Sequence, residues 1–146
     1  MLGEAGSGKE VAARYLHRQS RRAQGPFVDL RAAAIARPNV ATELFGNETQ
    51  GKLIRGRLEV AHGGTLFIDE IADMDLETQA RLFSALQEKR IIRVGGSTPV
   101  PVDVRVIAGS AHDLSQAVQN GQFRSDLYYR CLLYTSDAAD ERSSVD

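Results

Sequence analysis

The sequence predicts an α/β domain organised around a parallel sheet, and three observations carry that prediction. A glycine-rich turn, Gly3-Glu4-Ala5-Gly6-Ser7-Gly8-Lys9-Glu10, opens directly into a helical pattern. A continuous apolar run, Thr65-Leu66-Phe67-Ile68, ends on the acidic pair Asp69-Glu70. Between and beyond them helical and strand patterns alternate, with no internal repeat.

Composition narrows the function classes. A chain of 146 residues, 42% hydrophobic and 25% charged, has the size and balance of one globular domain. With 18 basic against 19 acidic side chains, the net charge of −1 calls for neither nucleic acid nor an anionic membrane, so any contact with DNA would be made by another segment. One cysteine, Cys131, excludes an internal disulfide framework and a thiolate zinc cluster, which fits a reducing, cytoplasmic setting. No apolar run reaches membrane-spanning length, and Met1-Leu2 is followed by glycine and charge rather than a signal peptide.

The opening octet has the spacing of a phosphate-binding loop: glycine, four residues, then Gly8-Lys9. Glycines let backbone N–H groups converge on an anion, the lysine reaches the outer phosphates, and the helix that follows points its positive end at them. Glu10 is off-pattern, because serine or threonine ordinarily ligates magnesium there. On the octet alone, a glycine-rich surface turn is the competing reading.

The elements follow in order. Residues 9–22 read as an amphipathic helix, with Val11, Ala12, Tyr15 and Leu16 at helical spacing and Arg14, Arg18, Arg21 and Arg22 on other faces. His17 reads as a packing or solvated residue, since no second ligand has metal-site spacing to it. After Gly25-Pro26, Phe27-Val28-Asp29-Leu30 is a strand, and Glu43-Leu44-Phe45-Gly46 ends a short helix. Residues 47–55 are polar and read as a loop. Residues 56–61 form a helical segment with Leu58 and Ala61 inward, stopped by Gly63-Gly64.

The run from Thr65 to Ile68 reads as a strand buried on both faces. Asp75 caps a helix over residues 76–89 with a stripe of Leu76, Ala80, Phe83 and Leu86. Ile91-Ile92-Arg93-Val94 and residues 99–103 form a strand pair about Gly95-Gly96-Ser97, and residues 104–109 form a further buried strand. Asp113 starts a short helix that stops at Asn120-Gly121, and Phe123-Arg124-Ser125-Asp126-Leu127-Tyr128-Tyr129-Arg130 closes the readable region.

Ligands of open α/β sheets bind at the carboxyl ends of strands, which is where Asp69-Glu70 falls. Asp69 is the candidate for holding magnesium and Glu70 for orienting and deprotonating an attacking water. A capping acid beside a solvated glutamate is the alternative, and the phosphate loop upstream weighs against it.

Both ends suggest a fragment. Only Met1 and Leu2 precede the loop, where a buried strand is expected, and the chain changes character from Cys131, running polar and aperiodic after Tyr134. Residues 1–130 are therefore expected to form a partial domain, poorly folded alone, and residues 131–146 an artefactual tail.

Taken together, Gly63-Gly64-Thr65-Leu66-Phe67-Ile68-Asp69-Glu70-Ile71, Arg93-Val94-Gly95-Gly96, Val102-Asp103-Val104-Arg105-Val106-Ile107 and the frame from Phe123 to Arg130 carry a resemblance. The chain resembles the central AAA+ ATPase domain, the sigma-54 interaction domain, of bacterial enhancer-binding transcription regulators. That resemblance implies a P-loop three-layer sandwich with a parallel sheet, here lacking its first strand, last strand and helical lid. It implies ATP and Mg2+ as cofactors, Gly3 to Lys9 as Walker A with Glu10 family-typical, and Asp69 and Glu70 as Walker B. It implies Arg124 and Arg130 as arginine fingers that reach the ATP of a neighbouring subunit in a homo-oligomeric ring, with DNA bound through a separate domain of a protein that is in some cases a two-component regulator.

Departures accompany the likeness. The family's Gly-Ala-Phe-Thr-Gly-Ala loop, which grips the sigma factor of RNA polymerase, is absent. Asn47-Glu48-Thr49-Gln50-Gly51-Lys52-Leu53-Ile54-Arg55 fills the interval, about five residues shorter. Arg31 replaces an asparagine that holds the catalytic glutamate, and is expected to pair with Glu70 as a charge. Ala111 replaces the first sensor's asparagine. Two functions follow from the resemblance: an ATP-hydrolysing module of a transcription regulator, or a nucleotide-gated assembly or repressor module with weak hydrolysis and no sigma-54 remodelling.

Overall fold

A computed structural model describes residues 5–110 and 113–135. Four strands form a parallel sheet in the order β1-β4-β7-β8, comprising β1 (Phe27–Arg31), β4 (Thr65–Asp69), β7 (Arg105–Ser110) and β8 (Leu132–Thr135). All five residues of β4 are buried, which explains why its sequence is continuously apolar rather than alternating.

The two faces of the sheet bury different sets of side chains. Phe67 and Ile107 pack against Ala13 of helix α1 (Ala5–Arg18). Leu66, Ile68, Val106 and Ala108 face the larger core. That core takes in Leu44 and Phe45 of α2 (Arg37–Phe45), Leu58 of α3 (Arg57–Val60), Leu82 and Leu86 of α4 (Leu76–Glu88), Leu114 of α5 (Leu114–Gln119) and Leu127 of α6 (Ser125–Arg130). Helices on both sides of a parallel sheet make the three layers that the sequence predicts.

Local signals act as expected at several boundaries. Asp75 accepts the Thr78 N–H at 2.8 Å and caps α4. Gly46 ends α2 at φ 87°, and a side chain there would collide with the Ile54 carbonyl. Asp113 caps α5, and β5 (Arg90–Ile92) pairs antiparallel with β6 (Pro99–Pro101) across the glycine turn.

Other expectations are corrected. Residues 47–55 form a hairpin, β2 (Asn47–Thr49) against β3 (Lys52–Ile54), rather than an open loop. Its two-residue turn, Gln50-Gly51, has φ of 52° and 75°, the doubly positive geometry that matches strand twist. Helix α1 begins inside the glycine octet and stops at Arg18, where Ser20 Oγ donates to the His17 carbonyl and the chain enters turns.

The buried face of α1 is Lys9, Ala13 and His17, while Val11 and Tyr15 are exposed. Only a small residue fits over Phe67 and Ile107, and the two polar residues are buried because each has partners. Similarly, α4 buries Thr78, Gln79, Leu82, Ala85 and Leu86, leaving Leu76 exposed. A strand does follow Arg130: the apolar run Leu132-Leu133 enters β8, which continues the sheet beside β7 where no last strand was expected. Among the described residues no helix is long and apolar enough to cross a membrane.

Candidate functional site

Lys9 lies in the second turn of α1, and its side chain runs inward over the carboxyl end of the sheet. It is 2% exposed. Its Nζ donates to Glu70 Oε2 at 3.0 Å and pairs with Asp69 Oδ1 at 3.3 Å. The buried ammonium is thus compensated by two carboxylates, as a charge in a low-dielectric interior requires. Residues 61 positions apart in sequence meet here because β4 ends where α1 begins.

Asp69 ends the central strand and is itself buried. Among the described residues its Oδ1 accepts no hydrogen bond and faces the Lys9 ammonium at 3.3 Å. Across the sheet Asp69 is in register with Arg31 on one side and Gly109 on the other. A side chain at Gly109 would press on the Phe67 ring at 2.9 Å and on Asp69 Oδ1 at 3.3 Å, so glycine keeps that carboxylate free to face the loop.

Glu70 leaves the strand in the left-handed region, φ 57° and ψ 52°. For a non-glycine residue this is a strained conformation, of the sort that concentrates at functional sites. Here it turns the Glu70 carboxylate onto the same lysine that Asp69 faces, then feeds the chain into a 3-10 turn over Ile71–Asp73.

The remaining expected residues divide clearly. Gly6 and Gly8 belong to the first turns of α1, and a Cβ built on Gly8 meets open space. Ala5 and Ser7 lie in the same helical turns, whereas Gly3, Glu4 and Ala111 lie outside the described residues. Glu10 pairs with Arg14 at 3.1 Å on the helix surface and does not join Lys9. Arg31 does not pair with Glu70: its side chain is exposed at the end of β1, and Lys9 holds Glu70 instead. His17 is a buried packing residue, bridging Thr65 Oγ1 at 2.7 Å and the Gly25 carbonyl at 3.1 Å.

Arg124 and Arg130 make no hydrogen bond or ion pair with Lys9, Asp69 or Glu70. Arg124 forms a two-pronged pair with Asp126, at 3.0 and 2.7 Å, which holds the Asp126 carboxyl below the usual carboxylate range. Arg130 donates to the Leu86 carbonyl at 3.2 Å, at the end of α4.

Two features escape sequence reasoning. Arg93 binds both oxygens of Glu59 at 2.9 Å and Glu48 at 3.1 Å, tying α3 and the hairpin to the segment after β5. Gln79 is fully buried and hydrogen-bonded at both ends of its amide. The available signal for Gln79 was its place on the inward face of α4, where an unpartnered amide would not be tolerated. The Arg93 cluster joins residues too far apart for any local pattern.

Comparison with known proteins gives the chain's family. A family model described as the Sigma-54 interaction domain matches residues 1–135. The transcriptional regulatory protein FlbD of Caulobacter vibrioides is 53% identical over 135 residues, covering 89% of this chain and 30% of that protein. The DNA-binding transcriptional regulator NtrC of Escherichia coli is 51% identical over 133 residues, covering 88% of this chain and 28% of its own length. The chain therefore spans less than a third of these curated relatives.

Among solved structures, NtrX from Brucella abortus in complex with ATP matches with a TM-score of 0.82 at 43% identity, covering 92% of this chain and 30% of that one. The P-loop NTPase domain of a sigma-54 transport activator from E. coli matches with a TM-score of 0.58 at 25% identity, covering 89% of this chain and 75% of that one.

Proposed function

Since the chain belongs to the sigma-54 interaction domain family, with a P-loop NTPase fold, we propose that it is the ATP-binding and ATP-hydrolysing module of a bacterial transcription regulator. The observation that carries this reading is the convergence of Lys9 with Asp69 and Glu70, at 3.3 and 3.0 Å, over the carboxyl end of a buried parallel strand. The ATP complex of the similar NtrX structure supports the choice of nucleotide.

Each residue then has a physical role. Backbone N–H groups of the first turn of α1, which opens at Ala5, would meet phosphate, and Lys9 would neutralise the outer phosphates. Asp69, buried at the end of β4, would be the residue that holds Mg2+. Bound Mg2+ supplies charge neutralisation across the phosphates. Glu70 orients a water and accepts its proton.

Arg124 and Arg130, which bond Asp126 and the Leu86 carbonyl rather than Lys9, serve as fingers toward a neighbouring subunit's nucleotide in a homo-oligomeric ring, where guanidinium charge stabilises the transferring phosphoryl group. DNA is bound by a separate domain of the longer protein.

A second reading concerns output. The hairpin from β2 to β3, which is docked by Arg93 to Glu48, stands where the family resemblance leads one to expect the sigma-gripping loop. It favours a nucleotide-gated assembly or repressor module that does not remodel the sigma-54 polymerase. The unpaired state of Arg31 toward Glu70 withdraws one reason for expecting weak hydrolysis. Measuring ATP affinity, turnover and activation of a sigma-54 promoter separately, in the full-length protein, tests both. Binding with turnover and promoter activation supports the first reading, and binding with weak turnover and no promoter activation supports the second. Absence of ATP binding refutes both.

A further inference from the structure

We propose that Gln79 is a positioning residue that couples the turn after Glu70 to the segment presenting Arg124. The proposal rests on the reading of Arg124 as an arginine finger. Gln79 is 0% exposed in α4. Its Nε2 donates to the Met74 carbonyl at 2.8 Å and to the Gln122 carbonyl at 3.1 Å, and its Oε1 accepts the Arg124 N–H at 2.9 Å. Both amide protons and the amide oxygen are thereby engaged, so the side chain has one orientation.

The three partners belong to two functional segments. Met74 caps the 3-10 turn that Glu70 starts, so Glu70 and the Met74 carbonyl are the two ends of one short rigid element. Gln122 and Arg124 bracket Phe123, whose ring is 2% exposed and anchors the approach to α6. A change in the left-handed geometry at Glu70 moves Met74, and the amide transmits that movement to the Arg124 backbone.

Arg124's guanidinium, in contrast, pairs among the described residues with Asp126 at the surface, and the Arg124 side chain is 41% exposed. Gln79 is the only side chain, among the described residues, that hydrogen-bonds the Arg124 backbone. The geometry points to a link within one subunit between the site it forms and the finger it offers to its neighbour. A buried amide satisfied in this way fixes the spacing between the Met74 carbonyl and the Arg124 N–H, which a graded apolar contact would not.

The test is a double-mutant cycle in the full-length protein with Gln79→Met and Arg124→Ala, reading ATP affinity and turnover at saturating ATP. Gln79→Met is expected to lower turnover by about tenfold while leaving ATP affinity within about twofold, and to add nothing in the Arg124→Ala background. Multiplying losses, or ATP affinity falling as far as turnover, would overturn it as a merely structural residue. If Gln79→Met does not fold, Gln79→Glu keeps the acceptor for Arg124 and loses both donors. It should also lower turnover without adding to Arg124→Ala, and wild-type turnover would overturn the proposal. If Arg124→Ala itself turns over normally, the finger reading falls and the coupling with it. If Arg124→Ala is impaired and Gln79→Met is not, only the coupling falls.

Discussion

Lys9 Nζ donates to Glu70 Oε2 at 3.0 Å, so the cation suited to phosphate and the carboxylate suited to activating water are direct partners. On the proposed nucleotide reading, phosphate binding would draw the Lys9 ammonium from the Glu70 carboxylate toward the phosphate. Glu70→Gln keeps an oxygen for Lys9 but cannot take a proton. ATP affinity should stay within about threefold of wild type while turnover falls by about 10²- to 10⁴-fold, measured by equilibrium titration and phosphate release. Turnover within about twofold would remove Glu70 from the base role.

Arg31→Asn should be nearly silent for stability. The guanidinium is exposed and does not pair with Glu70, so the change should lie within about 0.5 kcal/mol, read by chemical denaturation. A loss of about 2 kcal/mol or more would mean that Arg31 holds Asp69 or Glu70 in solution.

The legible and illegible parts of the molecule divide by what buries them. Strand β4 was plain because burial on both faces demands an apolar run, and Asp69-Glu70 stood out as charge at its end. The caps at Asp75 and Gly46 were legible because their chemistry is local. The inward face of α1 was not, since two of its buried positions are Lys9 and His17 and hydropathy pointed instead to Val11 and Tyr15. The hairpin escaped because its strands are largely exposed and lack the alternation that a core imposes, leaving only Gln50-Gly51 as a signal. The Arg31–Glu70 pairing failed for a reason no motif contains: Lys9 claims that carboxylate first.

Acid should destabilise the protein through specific carboxylates. The Thr78 hydrogen bonds hold the Asp75 carboxyl below its ordinary range, and the Arg22 hydrogen bond does the same for Asp103. A depressed folded-state value contributes stability that is present above the unfolded value and is lost as pH falls through the folded one. The melting temperature should therefore hold between about pH 7 and 5 and decline below about pH 4. Asp75→Asn, which retains a capping oxygen but does not titrate, should flatten part of that decline. An unchanged acid slope would contradict the assignment.

Cys131 should resist modification in the folded protein. It is 3% exposed, and burial pushes its thiol up to about 12, so thiolate is scarce at neutral pH. Ellman's reagent should label it only after denaturation, and rapid labelling of native protein would show that the interior around Cys131 opens.

The most direct measurement is ATP affinity of the full-length protein with Lys9 intact and with Lys9→Ala. Removing the ammonium deletes the charge that meets phosphate and leaves buried Asp69 without its ionic partner. ATP affinity should fall by at least about tenfold, equivalent to about 1.4 kcal/mol. Equal, measurable ATP affinity in both proteins would contradict the nucleotide site built on Lys9, Asp69 and Glu70.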